Sequence, residues 1–395
     1  MRRKVPLRSE RHTDKNRFFM QATHPAYFAV VFMAPFSAGK RKPLHHSSME
    51  SILTITRFCL IGTGRAGLIH ARNIASRMPN TRLASVCDAN PKTLAEVGRE
   101  FGVARQFTDY RQAVSDAEVD AVVIVTPTFL HCEIACAAAE NGKHVFLEKP
   151  MAVTVAECEA INRAVERAGV RLQIGFMRRF DEGFLEAKEA LDSGEMGRVM
   201  KIKSTGRGPG LPSPWMYDLA KSNGIIAEVN SHDLDSLRWF TGSEASRVYA
   251  EAANFKCHDA RTTHPDFYDN VLANFRFADG TLGEVDGTCP CHYGYDARVE
   301  ILCEKGLLLI GHVANQGVTK VNVEGQVAGR AVKSWRNLFK DAYLAEMEHF
   351  VACVQEGKTP RVTGHDGLRA VAMVVAVNQS LRSGGPVTLP ENPVS

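Results

Sequence analysis

Short apolar runs alternate with amphipathic stretches along the first half of the chain, beginning near residue 53. Residues 121–125, for example, read Ala-Val-Val-Ile-Val, and such an unbroken run is typical of a parallel strand that is covered on both faces. The stretches between the runs place apolar residues at helical spacing. Strands are predicted at 55–61, 82–87, 121–125, 144–147 and 171–176, and helices after residue 67 and at 91–101, 129–140 and 154–168. We therefore expect a doubly wound parallel sheet in an α/β domain over residues 53–175.

Beyond residue 176 the predicted strands begin to follow one another directly. Ala278-Asp279-Gly280 is a hairpin turn signal between two of them. Strands are predicted at 198–204, 247–254, 271–277, 281–288, 297–303 and 306–310, and helices at 181–193, 225–241, 342–356 and 364–383. We expect an α+β domain over residues 176–395, with an open, mostly antiparallel sheet that helices cover on one side. The two C-terminal helices are interpreted as packing elements without chemistry.

The net charge of +4 is unevenly distributed between a basic N-terminal segment and a mildly acidic remainder. Residues 1–48 hold ten Lys and Arg against two Asp and Glu, and the rest of the chain holds 38 against 42. An acidic body gives no reason to expect nucleic acid or an anionic membrane as a partner. The longest apolar stretch, at 26–36, is also too short for a membrane-spanning helix, which needs about 20 residues.

Residues 1–52 are predicted to be an extension outside the fold. Three interpretations stay open: a start assigned too early, with Met49 as the true start; a disordered tail; or an organelle transit peptide. A secretory signal does not fit, because 24 mostly polar residues precede the apolar patch at 25–36.

Ten cysteines are dispersed along the chain, most of them in apolar contexts. This distribution favours reduced thiols and a cytoplasmic location over a disulfide framework, which belongs to short secreted domains. Cys289-Pro290-Cys291-His292 is the one segment that resembles a metal motif. Structural zinc sites pair such a segment with a second pair of ligands, and the sequence offers no evident second pair. We predict no metal.

A glycine motif stands between the first predicted strand and the first predicted helix. It reads Gly62-Thr63-Gly64-Arg65-Ala66-Gly67. In this setting the first glycine makes a tight turn, the second lets the backbone approach a pyrophosphate, and the third lets helix and strand pack closely. The free N–H groups at the start of the helix favour bound phosphates. The motif predicts a dinucleotide site.

An acidic residue occupies the position that recognises the cofactor ribose in such sites. Asp88 ends the second predicted strand, 21 residues after Gly67. A carboxylate there accepts hydrogen bonds from the adenosine ribose and repels a 2′-phosphate, which favours NAD over NADP. The alternative is that Asp88 caps the predicted helix at 91–101.

Four ordered motifs together resemble the Gfo/Idh/MocA family of NAD(P)-dependent sugar and polyol dehydrogenases, across residues 53–390. They are Gly62–Gly67, Thr126-Pro127-Thr128, Glu148-Lys149-Pro150 and Glu228-x-x-x-His232. Within the family, the segments at 175–181 and 294–300 look most like inositol 2-dehydrogenases.

The resemblance implies roles for individual residues. Lys149 would be the catalytic lysine, with a cis peptide to Pro150, and burial next to other cations would lower its pKa toward neutrality. His232 would contact the hydroxyl that is oxidised, since an imidazole suits proton transfer near pH 7. The cofactor-binding residues would be Gly62, Gly64, Arg65, Ala66, Gly67, Asp88, Thr126, Pro127 and Glu148.

The residues on the substrate side match the inositol-type pattern less closely. The predicted helix 225–241 places Glu228, His232 and Asp235 on one face, and Glu228 joins Lys149 and His232 as a catalytic candidate. Inositol-type enzymes carry Asp at the position of Glu228, so the particular substrate stays open. Arg178 and Tyr295 match positions that contact substrate hydroxyls.

We expect an NAD-dependent oxidation of a secondary hydroxyl on a cyclic polyol or sugar, with proton transfer through Lys149 and His232. Two alternatives stay open: a dehydrogenase of a hexose, glycoside or amino sugar, and a dinucleotide-sensing regulator without turnover. The resemblance also implies a homo-oligomer, a dimer or a tetramer, formed through the outer face of the second sheet.

Overall fold

The computed structural model describes residues 55–324 and 326–390. Its first sheet has six parallel strands in the order β3-β2-β1-β4-β5-β6. The strands are β1 (Thr56–Ile61), β2 (Thr81–Cys87), β3 (Arg105–Phe107), β4 (Ala121–Ile124), β5 (His144–Glu148) and β6 (Leu172–Gly175). This order reverses direction at β1, and ligands of such sheets bind at the carboxyl ends of the strands next to that point.

Helices follow the strands of this sheet as the sequence predicted. They are α1 (Gly67–Ser76), α2 (Pro91–Glu100), α3 (Tyr110–Val114), α4 (His131–Glu140) and α5 (Val155–Ala168). Local side chains set where some of them begin: Asn90 accepts a hydrogen bond from the N–H of Lys92 to cap α2, and Thr154 and Glu157 form a capping box at α5. Strand β3 and helix α3, which are short, were not predicted.

The second sheet has seven strands in the order β12-β11-β7-β10-β9-β8-β15. All neighbours in it are antiparallel except β7 and β10. The strands are β7 (Val199–Arg207), β8 (Ala245–Ala253), β9 (Asn270–Phe277), β10 (Leu282–Thr288), β11 (Asp296–Cys303), β12 (Gly306–Ile310) and β15 (Val387–Thr388). A separate hairpin, β13 (Ala314–Val321) with β14 (Val327–Ala331), was not predicted.

Eight helices, α6 to α13, accompany this sheet in the described part of the chain. They are α6 (Glu182–Asp192), α7 (Leu219–Ser222), α8 (Ile225–Glu228), α9 (Ser231–Thr241), α10 (Ala260–Thr263), α11 (Trp335–Leu338), α12 (Lys340–Glu356) and α13 (Gly364–Ser383). None of the helices that the structure describes is long and apolar enough to cross a bilayer.

The prediction of one continuous helix over 225–241 was wrong, because the chain breaks between α8 and α9. Asn230 lies at the break, and its buried side-chain amide donates to the backbone oxygen of Gly206 on β7 and to Asp233. These contacts join the helix to the sheet beneath it, where the lack of a side chain at Gly206 and Gly287 leaves room for Asn230. Such a distant partner leaves no periodic signal in the sequence.

The C-terminal helix α12 packs against the first sheet as well as accompanying the second. Its Phe350 ring lies 6.3 Å from Phe58 on β1 and 5.7 Å from Phe146 on β5, between ring centroids. The two-sheet fold class is confirmed. The boundary between the domains at residue 175 stays a prediction, and the predicted extension at 1–52 lies outside the described residues.

Candidate active site

A cavity of about 540 Å³ opens at the carboxyl edge of the first sheet and is closed on the other side by α8, α9 and α12. Nine of the residues singled out by the sequence analysis line it: Arg65, Ala66, Thr126, Pro127, Glu148, Lys149, Glu228, His232 and Tyr295. Five others are not among the lining residues of the described chain: Gly62, Gly64, Gly67, Asp88 and Arg178. The structure therefore brings cofactor and substrate candidates from both halves into one space.

The glycine turn has the geometry of a phosphate cradle. Gly62 has a φ of 101°, and a Cβ atom there would lie 2.6 Å from the Val125 oxygen. A Cβ on Gly67 would lie 2.1 Å from the Gly62 oxygen, whereas one on Gly64 would meet nothing within 4 Å. The first and third glycines are thus required by packing, and the second keeps open the surface that a pyrophosphate would approach. The residues present fit a dinucleotide.

Asp88 is bonded to this turn through one carboxylate oxygen and to the N–H of Asn90 through the other. Its Oδ2 accepts hydrogen bonds from the Thr63 N–H at 2.7 Å and the Thr63 hydroxyl at 2.6 Å. The helix that begins at Pro91 is capped by Asn90. Asp88 therefore lies at the end of β2, next to the cradle, and the alternative in which it caps α2 does not hold.

Lys149 follows β5 directly and points toward α8. Its Nζ donates a hydrogen bond to the backbone oxygen of Glu228 at 2.6 Å, and its peptide bond to Pro150 is cis, as the resemblance implied. Burial lowers the pKa of Lys149 below its usual value, while the charge of Glu228 opposes that shift. A lysine with a lowered pKa can exchange protons closer to neutral pH than a solvated one.

Glu228 ends α8 with its carboxylate turned toward the first sheet. Its Oε1 accepts a hydrogen bond from the Thr128 hydroxyl at 2.6 Å. Burial raises the pKa of Glu228 to about 7, against the opposing effects of Lys149 and of the Thr128 hydrogen bond. This carboxyl group therefore changes charge near neutral pH.

His232 lies in the first turn of α9, with its ring 5.9 Å from that of Phe176 and edge-on to it. Burial lowers its pKa well below 6.5, and the positive charges of Lys149 and Arg178 act in the same direction. Its buried Nδ1 has no hydrogen-bond partner among the described residues. At neutral pH the imidazole is uncharged and can accept a proton.

Arg178 and Tyr295 occupy different layers of the site. Tyr295 lines the cavity. Arg178 lies behind the wall: it is 1% exposed and donates to Asp233, the residue after His232, at 2.6 Å. In this arrangement Arg178 secures the helix that carries His232.

Asp235 does not join the cavity, although the continuous-helix prediction placed it on one face with Glu228. It is buried and accepts two hydrogen bonds from Arg179, the shorter at 2.6 Å. Arg178 and Arg179 thus hold α9 at two successive points, Asp233 and Asp235.

Sequence reasoning also missed lining residues that come from distant segments. They are Tyr343 on α12, Trp215 and Met216 in the short turn after the Gly-Pro loop, and the segment 333–336. The Gly- and Pro-rich segment at 208–212 had been given no role, and α12 had been interpreted only as packing. An aromatic residue in an otherwise ordinary amphipathic helix gives no signal that it faces a cavity.

Within residues 55–324 and 326–390, the Cys289–His292 segment is not part of any cluster of three possible metal ligands. Cys289 lines the cavity and donates its thiol hydrogen to the Gly210 oxygen, and Cys291 donates to the Gly294 oxygen. All ten cysteines lie in the described chain as free thiols.

The cradle at the switch point of a parallel sheet, with a lysine and a histidine in the adjoining cavity, defines the class of protein: an oxidoreductase with a Rossmann fold. The model of the oxidoreductase family with an NAD-binding Rossmann fold matches residues 56–176. The model of the GFO/IDH/MocA C-terminal domain matches residues 184–309. The chain belongs to the GFO/IDH/MocA oxidoreductase family.

Relatives of known activity match nearly their whole length. The chain is 34% identical to scyllo-inositol 2-dehydrogenase (NAD(+)) of Bacillus subtilis, over 84% of this chain and 96% of that protein. It is 32% identical to myo-inositol 2-dehydrogenase of Thermotoga maritima, over 85% and 99%. The predicted family, the oxidoreductase class and NAD as the cofactor are confirmed.

A solved structure gives the same picture. The crystal structure of scyllo-inositol dehydrogenase from Lactobacillus casei with bound NAD(H) and scyllo-inositol has a TM-score of 0.78 and 28% identity, and the match covers 85% of this chain and 99% of that one.

Proposed function

We propose that this chain is an NAD-dependent inositol 2-dehydrogenase or a close variant, which oxidises a secondary hydroxyl of a cyclic polyol. The observation that carries the proposal is that Lys149 and His232 line one cavity with Arg65 and Ala66 of the glycine turn. The names of the inositol dehydrogenases that the chain resembles support the same substrate class. No feature of the cavity favours a hexose or glycoside substrate, or a regulator without turnover.

The chain's own residues would divide the work as follows. NAD, when bound, supplies the acceptor for the hydride that leaves the substrate carbon. Neutral His232 accepts the proton of the substrate hydroxyl. Lys149, held by the backbone oxygen of Glu228, orients that hydroxyl and exchanges protons with His232 and water. The ionised carboxylate of Glu228 accepts hydrogen bonds from a neighbouring hydroxyl and stabilises positive charge as it develops on His232.

The position of Glu228 bears on which polyol is used. Thr128 holds its carboxylate from the cofactor side of the cavity, and a glutamate extends one methylene further than the aspartate that the inositol-type pattern carries. We propose that this longer side chain selects among the hydroxyl arrangements of inositol isomers.

A substrate panel tests the function. The protein is incubated with NAD or NADP and with scyllo-inositol, myo-inositol, other inositol isomers, glucose and a methyl glycoside, and NADH formation is followed by absorbance. We expect turnover with NAD and at least one inositol isomer, at a kcat/KM at least about tenfold above that for glucose. Turnover only with hexoses, or with no polyol at all, would contradict the proposal.

We further propose that the enzyme works in the cytoplasm as a homo-oligomer. Free cysteines, eight of the ten buried, suit a reducing compartment. Large apolar side chains project from the outer face of the second sheet: Tyr249, Leu272, Leu282, Leu302 and Leu309. Such a row of exposed apolar residues is typical of an interface.

Light scattering after size exclusion tests this assembly. The variant Leu272→Glu should shift the protein toward a smaller species, whereas Leu338→Glu, the same change at a somewhat less exposed leucine on α11, should not. A monomeric unmodified protein would refute the proposal.

A further inference from the structure

Three ionisable side chains meet in the interior between the two halves, beneath the wall of the cavity. They are His70 on α1, Glu148 at the end of β5 and Glu346 on α12. Their nearest nitrogen and oxygen atoms all lie within 4.8 Å of one another. The exposed fraction is 0% for His70 and Glu346 and 5% for Glu148. Glu148 alone of the three also lines the cavity.

The two carboxyl groups of this cluster are in unequal surroundings. Glu148 accepts one hydrogen bond from Nε2 of His70 at 2.7 Å and another from the N–H of Lys149 at 3.2 Å. Because an ionised carboxylate can only accept, this arrangement assigns the proton of the first bond to Nε2. Neither oxygen of Glu346 has a hydrogen-bond partner among residues 55–324 and 326–390.

Two carboxylates this close in an apolar interior are not both charged, and the proton resides on the one that lacks donors. Among the described residues, no lysine or arginine donates a hydrogen bond to the Glu346 carboxyl group. That carboxyl group lies within 4.8 Å of a Glu148 oxygen and a His70 nitrogen, and the His70 ring lies 5.7 Å from that of Tyr343 on the same helix as Glu346. The Gln173 amide donates to the backbone oxygen of Glu346 and not to its side chain. Burial raises the pKa of Glu346 well above 4.5, and the charge of Glu148 adds to the effect.

We propose that Glu346 is a positioning residue, which carries the proton of the His70–Glu148–Glu346 cluster and thereby leaves Glu148 as its single negative charge beside Lys149. The inference rests on the proposed function in so far as Lys149 is the catalytic lysine. Glu346 itself does not line the cavity and touches no reactant.

The charge state of Glu346 matters because Glu148 is bonded to the backbone N–H of Lys149. The negative charge of Glu148 already raises the pKa of Lys149 against the effect of burial. A second negative charge at Glu346 would raise that pKa further and would repel Glu148 from its two donors. A neutral Glu346 therefore preserves both the position of Glu148 and the lowered pKa of Lys149.

Infrared difference spectroscopy of the full chain with no substrate tests the protonation directly. At pH 8 the protein should show the C=O stretch of a buried carboxylic acid, which shifts in D₂O and disappears in Glu346→Gln. Glu348→Gln, an exposed change two residues along the same helix, should leave the band intact. If the unmodified protein shows no such band, or if the band survives in Glu346→Gln, the proposal fails. Because no turnover is involved, this result is independent of whether the protein oxidises a polyol.

Kinetics of the same variants test the consequence for Lys149. The amide of Glu346→Gln imitates a neutral acid, so kcat should stay within about threefold and the pH dependence of kcat should not move. Glu346→Ala should lose about tenfold in kcat with little change in KM, as expected for lost orientation. A loss in Glu346→Gln as large as that in Glu346→Ala would mean that Glu346 acts as an ionised group. If the unmodified protein binds zinc or manganese in a 1:1 ratio and Glu346→Gln does not, the cluster holds a metal ion in place of the proton. That result would overturn the proposal.

Discussion

The cofactor side and the polyol side of the cavity are built in different ways. The phosphate cradle is a stretch of six consecutive residues, 62–67, and its shape is set by backbone geometry that only glycine permits at two positions. The polyol side collects side chains from segments far apart in sequence: Lys149, Glu228, His232, Tyr295 and Tyr343. A site made of local backbone is fixed by its own sequence, whereas a site made of distant side chains depends on how the halves pack. Substitutions should therefore separate binding, folding and chemistry between the two sides.

The sharpest separation is expected at Lys149. Lys149→Ala removes the ammonium group from the polyol side and leaves the cradle intact, so kcat should fall by about 10³-fold while the Kd for NAD changes less than about threefold. Stopped-flow absorbance and calorimetry measure the two quantities. Lys333→Ala, which removes an exposed lysine from the rim of the same cavity, is the matched control and should retain activity. Near-normal turnover in Lys149→Ala would break the assignment.

The same substitution at two glycines should separate folding from binding within the cradle. Gly67→Ala forces a Cβ to within 2.1 Å of the Gly62 oxygen, so we expect a loss of about 1–3 kcal/mol in the free energy of unfolding. Gly64→Ala meets no protein atom, so stability should be unchanged while the Kd for NAD rises about tenfold or more. For both variants, thermal melts measure the stability and NAD titrations measure the Kd. Equal effects of the two variants on stability would contradict the comparison.

Asp88 should control which dinucleotide the cradle accepts. Asp88→Ser removes the charge that repels a 2′-phosphate, so the preference for NAD over NADP should fall by about tenfold or more. The variant also removes the acceptor of the Thr63 N–H, and the Kd for NAD should rise as the turn loosens. Glu96→Ser, an exposed change on α2, provides the control. An unchanged preference would assign Asp88 to the turn alone.

The last prediction concerns pH and belongs to the polyol side. The pKa of Glu228 is raised to about 7, so the carboxylate forms as pH rises through 7, and kcat/KM should fall about tenfold per pH unit below that point. Glu228→Gln should lower kcat/KM and abolish this acidic limb. The raised pKa also means that ionisation of Glu228 opposes folding. The free energy of unfolding should therefore decrease as the pH rises from about 4.5 to 7 in the unmodified protein, and it should decrease less in Glu228→Gln. If the fall in kcat/KM at low pH persists in Glu228→Gln, another ionisable group causes it.

Most of the first sheet could be predicted from the sequence because each of its elements has a signal in the local sequence. An apolar run, a glycine turn and the helix that follows it are all readable within about 30 residues, and Asp88 follows at a fixed spacing. Glu148, Lys149 and His232 were identified by resemblance to a family, and the structure adds that they line one cavity.

What the sequence did not predict depends on contacts between distant residues. The break at Asn230 comes from a hydrogen bond to Gly206 on another element, and Arg178 is buried because Asp233 neutralises it. The hairpin of β13 and β14 lacks the regular alternation of apolar and polar positions that predicts a strand. Tyr343 and Glu346 look like ordinary helix residues until α12 is placed against α1.

The packing of α12 has a practical consequence for protein engineering. With Phe350 seated on Phe58 and Phe146, a fragment truncated after the sixth strand would present a bare aromatic surface to water and would aggregate. The nucleotide-binding half is therefore not expected to be stable when it is moved by itself into another protein. A minimal version of it would have to include residues 340–356, supplied through a linker or as a separate peptide.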